Sequence, residues 1–179
     1  MIRSGMRGLA VSGLAVLLML MTGCGGKAPQ TPSQRKGQAP EADSATLALM
    51  EFNSQLAKAA DKIVMDAVQA QEEPFALYEG QTWMHIVETG DTDGDLLIPG
   101  QAYSIHMRVY TLDGRMLEDT EGTYLLGKAE LPAGIDWNIR ELHHGAKARL
   151  FIPWYMAFGP KGNEHIPPYE NVRIDLEIR

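Results

Sequence analysis

The chain has 179 residues, of which 45% are apolar, 22% charged and 7% aromatic, with 16 Lys and Arg against 23 Asp and Glu. That length holds one domain of ordinary size with an extension and leaves little room for two. The net charge of −7 disfavours phosphate backbones and with them nucleic acid as a partner, while a single cysteine excludes an internal disulfide framework and any cysteine-based zinc site.

Met1 to Gly8 carries Arg3 and Arg7 and no acid, and an almost unbroken apolar run follows from Leu9 to Met21. A basic start, a short apolar core and small residues at the exit compose a secretory signal peptide, and the run is shorter than the ~20 apolar residues a spanning helix prefers. Met21-Thr22-Gly23-Cys24 resembles the lipobox of bacterial lipoproteins, which implies cleavage of residues 1–23 and a diacylglyceryl group on Cys24. An ordinary signal peptide with an incidental cysteine, or an uncleaved anchor, is the alternative. Without Arg3 and Arg7 the chain carries 14 basic against 23 acidic residues, about −9 at neutral pH. Residues 24–42 are rich in Gly, Pro, Gln, Ser and Thr and have no hydrophobic period, the composition of a flexible tether. Multiple acyl chains anchor firmly where one does not, since each buried methylene adds ~0.8 kcal/mol.

Residues 43–72 read as an amphipathic helix. Leu49, Phe52, Leu56, Ala59, Ile63 and Ala67 recur at intervals of three and four, Asp43 or Ser44 caps the start, and Pro74 lies just beyond the end. Two readings of the stripe stay open: packing on the domain that follows, or the seam of a homodimer.

Residues 73–96 read as a linker and a first strand, Trp83 to Val87. The acidic run Asp91-Thr92-Asp93-Gly94-Asp95 has carboxylates at alternate positions like a calcium loop, but Leu96 stands where that loop needs glycine and Ala102 where it needs the closing carboxylate. It reads as an acidic turn. Beyond it, Ala102–Tyr110, Lys147–Pro153 and Asn171–Ile178 alternate with the period of two of antiparallel strands, the first turned by Leu112-Asp113-Gly114-Arg115. Ala133 to Leu142 suits one short helix, ended by His143-His144-Gly145. Strands around one helix make an α+β domain.

Several segments in this order then become recognisable: Leu112-Asp113-Gly114; Leu126-Gly127-Lys128-Ala129-Glu130; Gly134-Ile135; His144 to Pro153; Ala157-Phe158-Gly159; Ile166-Pro167-Pro168; and the closing strand Val172 to Ile178. The series resembles an FKBP-type peptidyl-prolyl cis-trans isomerase domain over residues 97–179. With the lipobox, tether and helix ahead of it, the whole is similar to Bacteroidetes-type isomerase lipoproteins, including the gliding-motility-associated group. The resemblance implies a curled antiparallel sheet wrapped on one short helix, no cofactor or metal, and proline-bearing polypeptides as clients. It further implies a lipid anchor in the cell envelope. Because Gly25-Gly26-Lys27 lacks an acidic run, the periplasmic face of the outer membrane is expected.

Carried over position by position, the resemblance places the apolar substrate pocket on Met107, Leu117, Glu118, Leu131, Pro132, Ile135, Phe158 and Ile174, with Tyr124 and His165 at its rim. Two of these residues depart from the family pattern with chemical weight. The residue at Pro132 should donate its backbone N–H to a substrate carbonyl, and proline has none. Phe158 stands where a tyrosine hydroxyl should donate a second such bond. The readings are therefore an isomerase with reduced turnover, a non-catalytic holdase that kept the groove, or a structural lipoprotein of an envelope complex. His143 and His144 are read as helix-end residues interacting with the helix dipole, His106 as a packed or edge histidine, and Trp154 as an exposed aromatic on the substrate side.

Overall fold

The computed structural model describes residues 43–179. The signal segment, Cys24 and the tether lie outside the described residues. Residues 43–179 belong to one compact unit. Among the described residues, no helix is long and apolar enough to cross a membrane.

The first helix, α1, spans Ser44–Gln69, and Asp43 caps it by accepting a hydrogen bond from the amide of Thr46 at 2.7 Å. The strands are β1 (Ala76–Leu77), β2 (Trp83–Glu88), β3 (Ala102–Thr111), β4 (Met116–Leu125), β5 (Lys147–Ile152) and β6 (Val172–Ile178). They form a six-stranded antiparallel sheet in the order β1-β2-β5-β6-β3-β4. The second helix, α2, is the single turn Ala133–Asp136. The result is the FKBP-like curled sheet with a short helix and an N-terminal helix.

Alternation divides the two faces of the sheet. Ala148, Leu150 and Ile152 of β5 join Ile105, Met107 and Val109 of β3 and Ile174, Leu176 and Ile178 of β6 in one buried cluster with Ile135 of α2. Phe151, between Leu150 and Ile152, points the other way and packs with Val64 and Val68 of α1. Phe75 meets Phe151 edge-on, with ring centroids 5.2 Å apart and planes at 83°.

Several sequence expectations need correction here. The residues of α1 that are buried are Ala60, Val64 and Val68, a set spaced by four, whereas Leu49, Phe52 and Ile63 of the expected stripe are exposed. The helix expected over Ala133–Leu142 breaks after Asp136, with a separate one-turn 3-10 helix at Ile139–Glu141. Asn138 causes the break: its amide donates to the Gly134 carbonyl (2.8 Å) and the Glu79 carbonyl (3.2 Å), and its oxygen accepts from the Glu79 amide (3.1 Å). Those bonds stitch α2 to the turn at Glu79–Gln81 and compete with continuing the helix. β4 was not legible in the sequence, because its Glu-Asp-Thr-Glu-Gly run lacks the apolar alternation of a core strand. It is an edge strand, paired with β3 alone.

Candidate functional site

The register of the sheet builds the site floor. Leu150, Ile174, Val109 and Glu118 pair in one row across β5, β6, β3 and β4. Ala148, Leu176, Met107 and Thr120 form the next row. Residues two apart on a strand share a face, so Met107, Glu118 and Ile174 lie on the same side of the sheet. Ile135 of α2 and Leu131 join Met107 and Ile174 in one buried cluster, and Leu117, Tyr124 and Phe158 pack against it, half-buried. The structure thus brings the expected apolar residues together, although they come from five separate stretches of chain.

Two polar devices hold the loops around this floor. Asp136 is buried; its carboxylate accepts from the Gly127 amide at 2.7 Å and from the guanidinium of Arg140 at 3.0 Å. That pairing ties the turn ahead of Leu131 and Pro132 to α2. At the far side, the side-chain oxygen of Asn163 accepts from the amides of His165 (2.8 Å) and Ile166 (2.7 Å), while the Asn163 amide donates to the Ile166 carbonyl at 2.9 Å. The turn requires glycine at 162: its φ is +63°, and a Cβ there would lie 2.1 Å from the Ile166 carbonyl. Ile166 is buried in the core, and the Asn163 side chain donates to the Glu118 carboxylate at 3.0 Å, lashing this loop to β4. His165 is exposed on that turn. Asp136, Asn138 and Asn163 escaped the sequence reading. The signal that was available for Asn163 is its place one residue after a glycine in a turn-rich stretch.

Pro132 caps α2 with φ −52° and ψ 142°, half-buried. It has no N–H, and its carbonyl already accepts from the amides of Ile135 and Asp136, both at 2.9 Å. Neither polar group of this residue is therefore free to grip a substrate. Phe158 presents a ring without a hydroxyl. The pocket positions carry only one ionisable side chain that faces the floor, Glu118, and nothing in this arrangement supplies a nucleophile or a proton relay. Met107, Leu131, Ile135 and Ile174 are buried, so the apolar surface this arrangement offers outward comes from the half-buried Leu117, Tyr124, Pro132 and Phe158.

The other residues singled out in the sequence lie elsewhere. His106 donates from Nε2 to the Asp119 carboxylate at 2.6 Å on the outer side of the sheet, and His143 donates from Nδ1 to the Gly94 carbonyl at 3.1 Å rather than meeting a helix end. Trp154 does not face the substrate side. It makes edge contacts with Tyr155 and Tyr169, with centroids 5.6 and 4.8 Å apart, and lines a groove against α1.

A family model, FKBP-type peptidyl-prolyl cis-trans isomerase, matches residues 97–179. Residues 97–179 are an FKBP-type domain. Those residues resemble the peptidyl-prolyl cis-trans isomerase domain that the family model describes. The fold agrees with that of a peptidyl-prolyl cis-trans isomerase from Pseudomonas syringae pv. tomato (TM-score 0.58, 19% identity, 70% of this chain and 92% of that one). It also agrees with FkpA from Escherichia coli (TM-score 0.58, 19% identity, 75% of this chain and 63% of that one). The N-terminal domain of FKBP42 from Arabidopsis thaliana is similar too (TM-score 0.52, 21% identity, 60% of this chain and 91% of that one). In sequence, FK506-binding protein 5 of Dictyostelium discoideum is 32% identical over 66 residues, a match spanning 37% of this chain and 4% of that protein. The FKBP-type domain of this chain shares its sheet with β1 and β2, which precede residue 97.

Proposed function

We propose that this protein is an exported, lipid-anchored peptidyl-prolyl cis-trans isomerase that turns over slowly and acts on proline-bearing segments of envelope proteins. Rotation about an X–Pro bond must break amide resonance, a barrier of ~18–20 kcal/mol. An apolar site accelerates it by binding the twisted amide better than the planar one, and a water-poor wall weakens the resonance that water supports. Met107, Leu131, Ile135 and Ile174 supply that floor, with Phe158 and Leu117 as walls. The observation that carries the reading is the state of residue 132: no N–H, and a carbonyl already occupied within α2. The ring is held, but the amide is not clamped, so the twisted state gains less than it would with two donors.

The anchor belongs to the same proposal. The lipobox at Cys24 and the polar tether support placement at the periplasmic face of the outer membrane, in a lipoprotein of the Bacteroidetes-type, gliding-motility-associated kind. The same lack of donors favours a second reading, a holdase that binds apolar and proline-bearing chains without catalysis. A proline-limited refolding reaction separates them. Acceleration that saturates with client and is lost on Ile135→Asp supports the enzyme. Suppressed aggregation with an unchanged proline phase supports the holdase. Neither effect would overturn both.

A further inference from the structure

We propose that Tyr124 is the client-binding donor of this site: its ring lies back along β4 over Gly122 as the aromatic wall, and its hydroxyl donates a hydrogen bond to a backbone carbonyl beside the bound proline. This rests on the reading of the site as a pocket for proline-bearing chains, and it names the residue that grips them. Proline has no N–H, so the polar groups that flank its ring in a client are carbonyls, and a site that holds it needs a donor. The two positions where the family resemblance places donors, Pro132 and Phe158, offer none.

Of the side chains that form the outward apolar surface, Leu117, Tyr124, Pro132 and Phe158, only that of Tyr124 carries a polar atom. Neighbouring tyrosine hydroxyls are engaged: Tyr103 accepts from the Ile98 amide at 2.8 Å, and Tyr155 donates to the Asp61 carboxylate. The Tyr124 hydroxyl has no partner among the described residues, and the unpartnered side-chain atoms sealed from water there are Thr82 Oγ1 and Arg173 Nε. It is therefore open to a ligand. Glu118 faces the floor but is an acceptor, already bonded to the Asn163 amide at 3.0 Å, and His165 stands exposed in water.

The backbone aims this ring. Tyr124 pairs with Tyr103, Gly122 with Ile105 and Thr120 with Met107, so these residues of β4 share the inner face and step row by row toward Met107. A Cβ on Gly122 would lie 3.2 Å from Cε2, Cζ and the hydroxyl oxygen of Tyr124. The far end of the ring thus rests on residue 122 and points along the strand toward the Met107 row. Its base is held as well: the Leu125 amide donates to the Glu130 carboxylate at 2.6 Å, and the Leu126 amide donates to the Gln101 carbonyl at 3.0 Å. Glycine at 122 leaves a gap in the wall, and the aromatic two residues along fills it. The carbonyl of the client's proline takes no part in the rotation, so a donor on it binds the planar and the twisted chain alike. Such a bond lowers KM and leaves kcat unchanged.

The test uses a blocked Ala-Leu-Pro-Phe tetrapeptide and the full chain purified in detergent, with affinity read by isothermal titration calorimetry and cis–trans exchange by NMR. Tyr124→Phe keeps the ring and should weaken the affinity and raise KM together by about two- to tenfold, the effect of one hydrogen bond, with kcat held. Gly122→Val leaves the hydroxyl but occupies the bed of the ring and should reproduce the loss. Thr120→Val removes the other hydroxyl on that face of β4 and should have a smaller effect than either. Melting curves followed by circular dichroism show that the variants are folded; should Gly122→Val unfold, Gly122→Ala takes its place. Wild-type affinity in Tyr124→Phe or in the residue 122 variant, or a loss on Thr120→Val as large as that on Tyr124→Phe, overturns the inference. If exchange is catalysed and Tyr124→Phe leaves KM unchanged, the inference fails and the isomerase reading stands. Weaker binding by Tyr124→Phe with no exchange in wild type supports the donor and removes the isomerase reading. A wild type that does not bind the peptide overturns both.

Discussion

Replacing Pro132 by Ile and Phe158 by Tyr should convert a slow isomerase into a faster one. The backbone at 132 has φ −52° and ψ 142°, within reach of an isoleucine, and the two α2 amides it accepts from are untouched by the exchange. The only polar change there is a new N–H. At 158 the ring is half-buried, so a hydroxyl can be added without opening a cavity. Each new hydrogen bond contributes ~0.5–1.5 kcal/mol net, and two that act mainly in the transition state raise the rate on the order of tenfold to a hundredfold. Loss of proline rigidity costs about 0.4–1 kcal/mol of stability, a small shift in a denaturation midpoint. The assay is proline-limited refolding at matched concentrations of wild type, both single variants and the double variant. Each single variant should give roughly the square root of the double's gain. A wild type that already matches the double variant would show that the clamp is dispensable and would refute the argument from residue 132.

Three further outcomes follow from the geometry. Phe151→Ala should cost about 3–5 kcal/mol, read as a lowered denaturation midpoint, because Phe151 is the buried contact of Val64 and Val68. Burial, and then the Asp61 carboxylate that accepts its proton, hold the Tyr155 hydroxyl above the usual phenol range near 10.0. A raised folded-state pKa gives stability that is present in full below pH 10 and is lost as pH rises through the folded value. Wild type should therefore lose urea resistance above pH 10 faster than Tyr155→Phe, and parallel curves would contradict this. Cys24→Ser should abolish fatty-acid labelling and release the chain from the membrane fraction; retention with no labelling of wild type would remove the lipoprotein proposal.

How much of this could be read in the sequence depends on the range of the interaction concerned. Period-two alternation is local, and it placed β2, β3, β5 and β6 within a residue or so of where they lie. The Asp43 cap acts over three residues and was equally legible. The apolar pocket positions came from matching residue order to a family, and the sheet register then set Met107, Glu118 and Ile174 on one side of it. Other features depend on partners far along the chain. β4 is a strand because β3 lends it a ladder, although its own composition argues otherwise. α2 stops where Asn138 finds Glu79, 59 residues earlier, and the pocket loop is held where Asn163 meets Glu118, 45 residues away. The faces of α1 were decided in the same way. Both are apolar at helical spacing, and only the position of Phe151, turned outward between two inward residues of β5, selects Val64 and Val68 for burial and leaves Phe52 and Ile63 in water. Local periodicity fixes which residues share a face; which face is covered depends on the distant surface that folding brings against it.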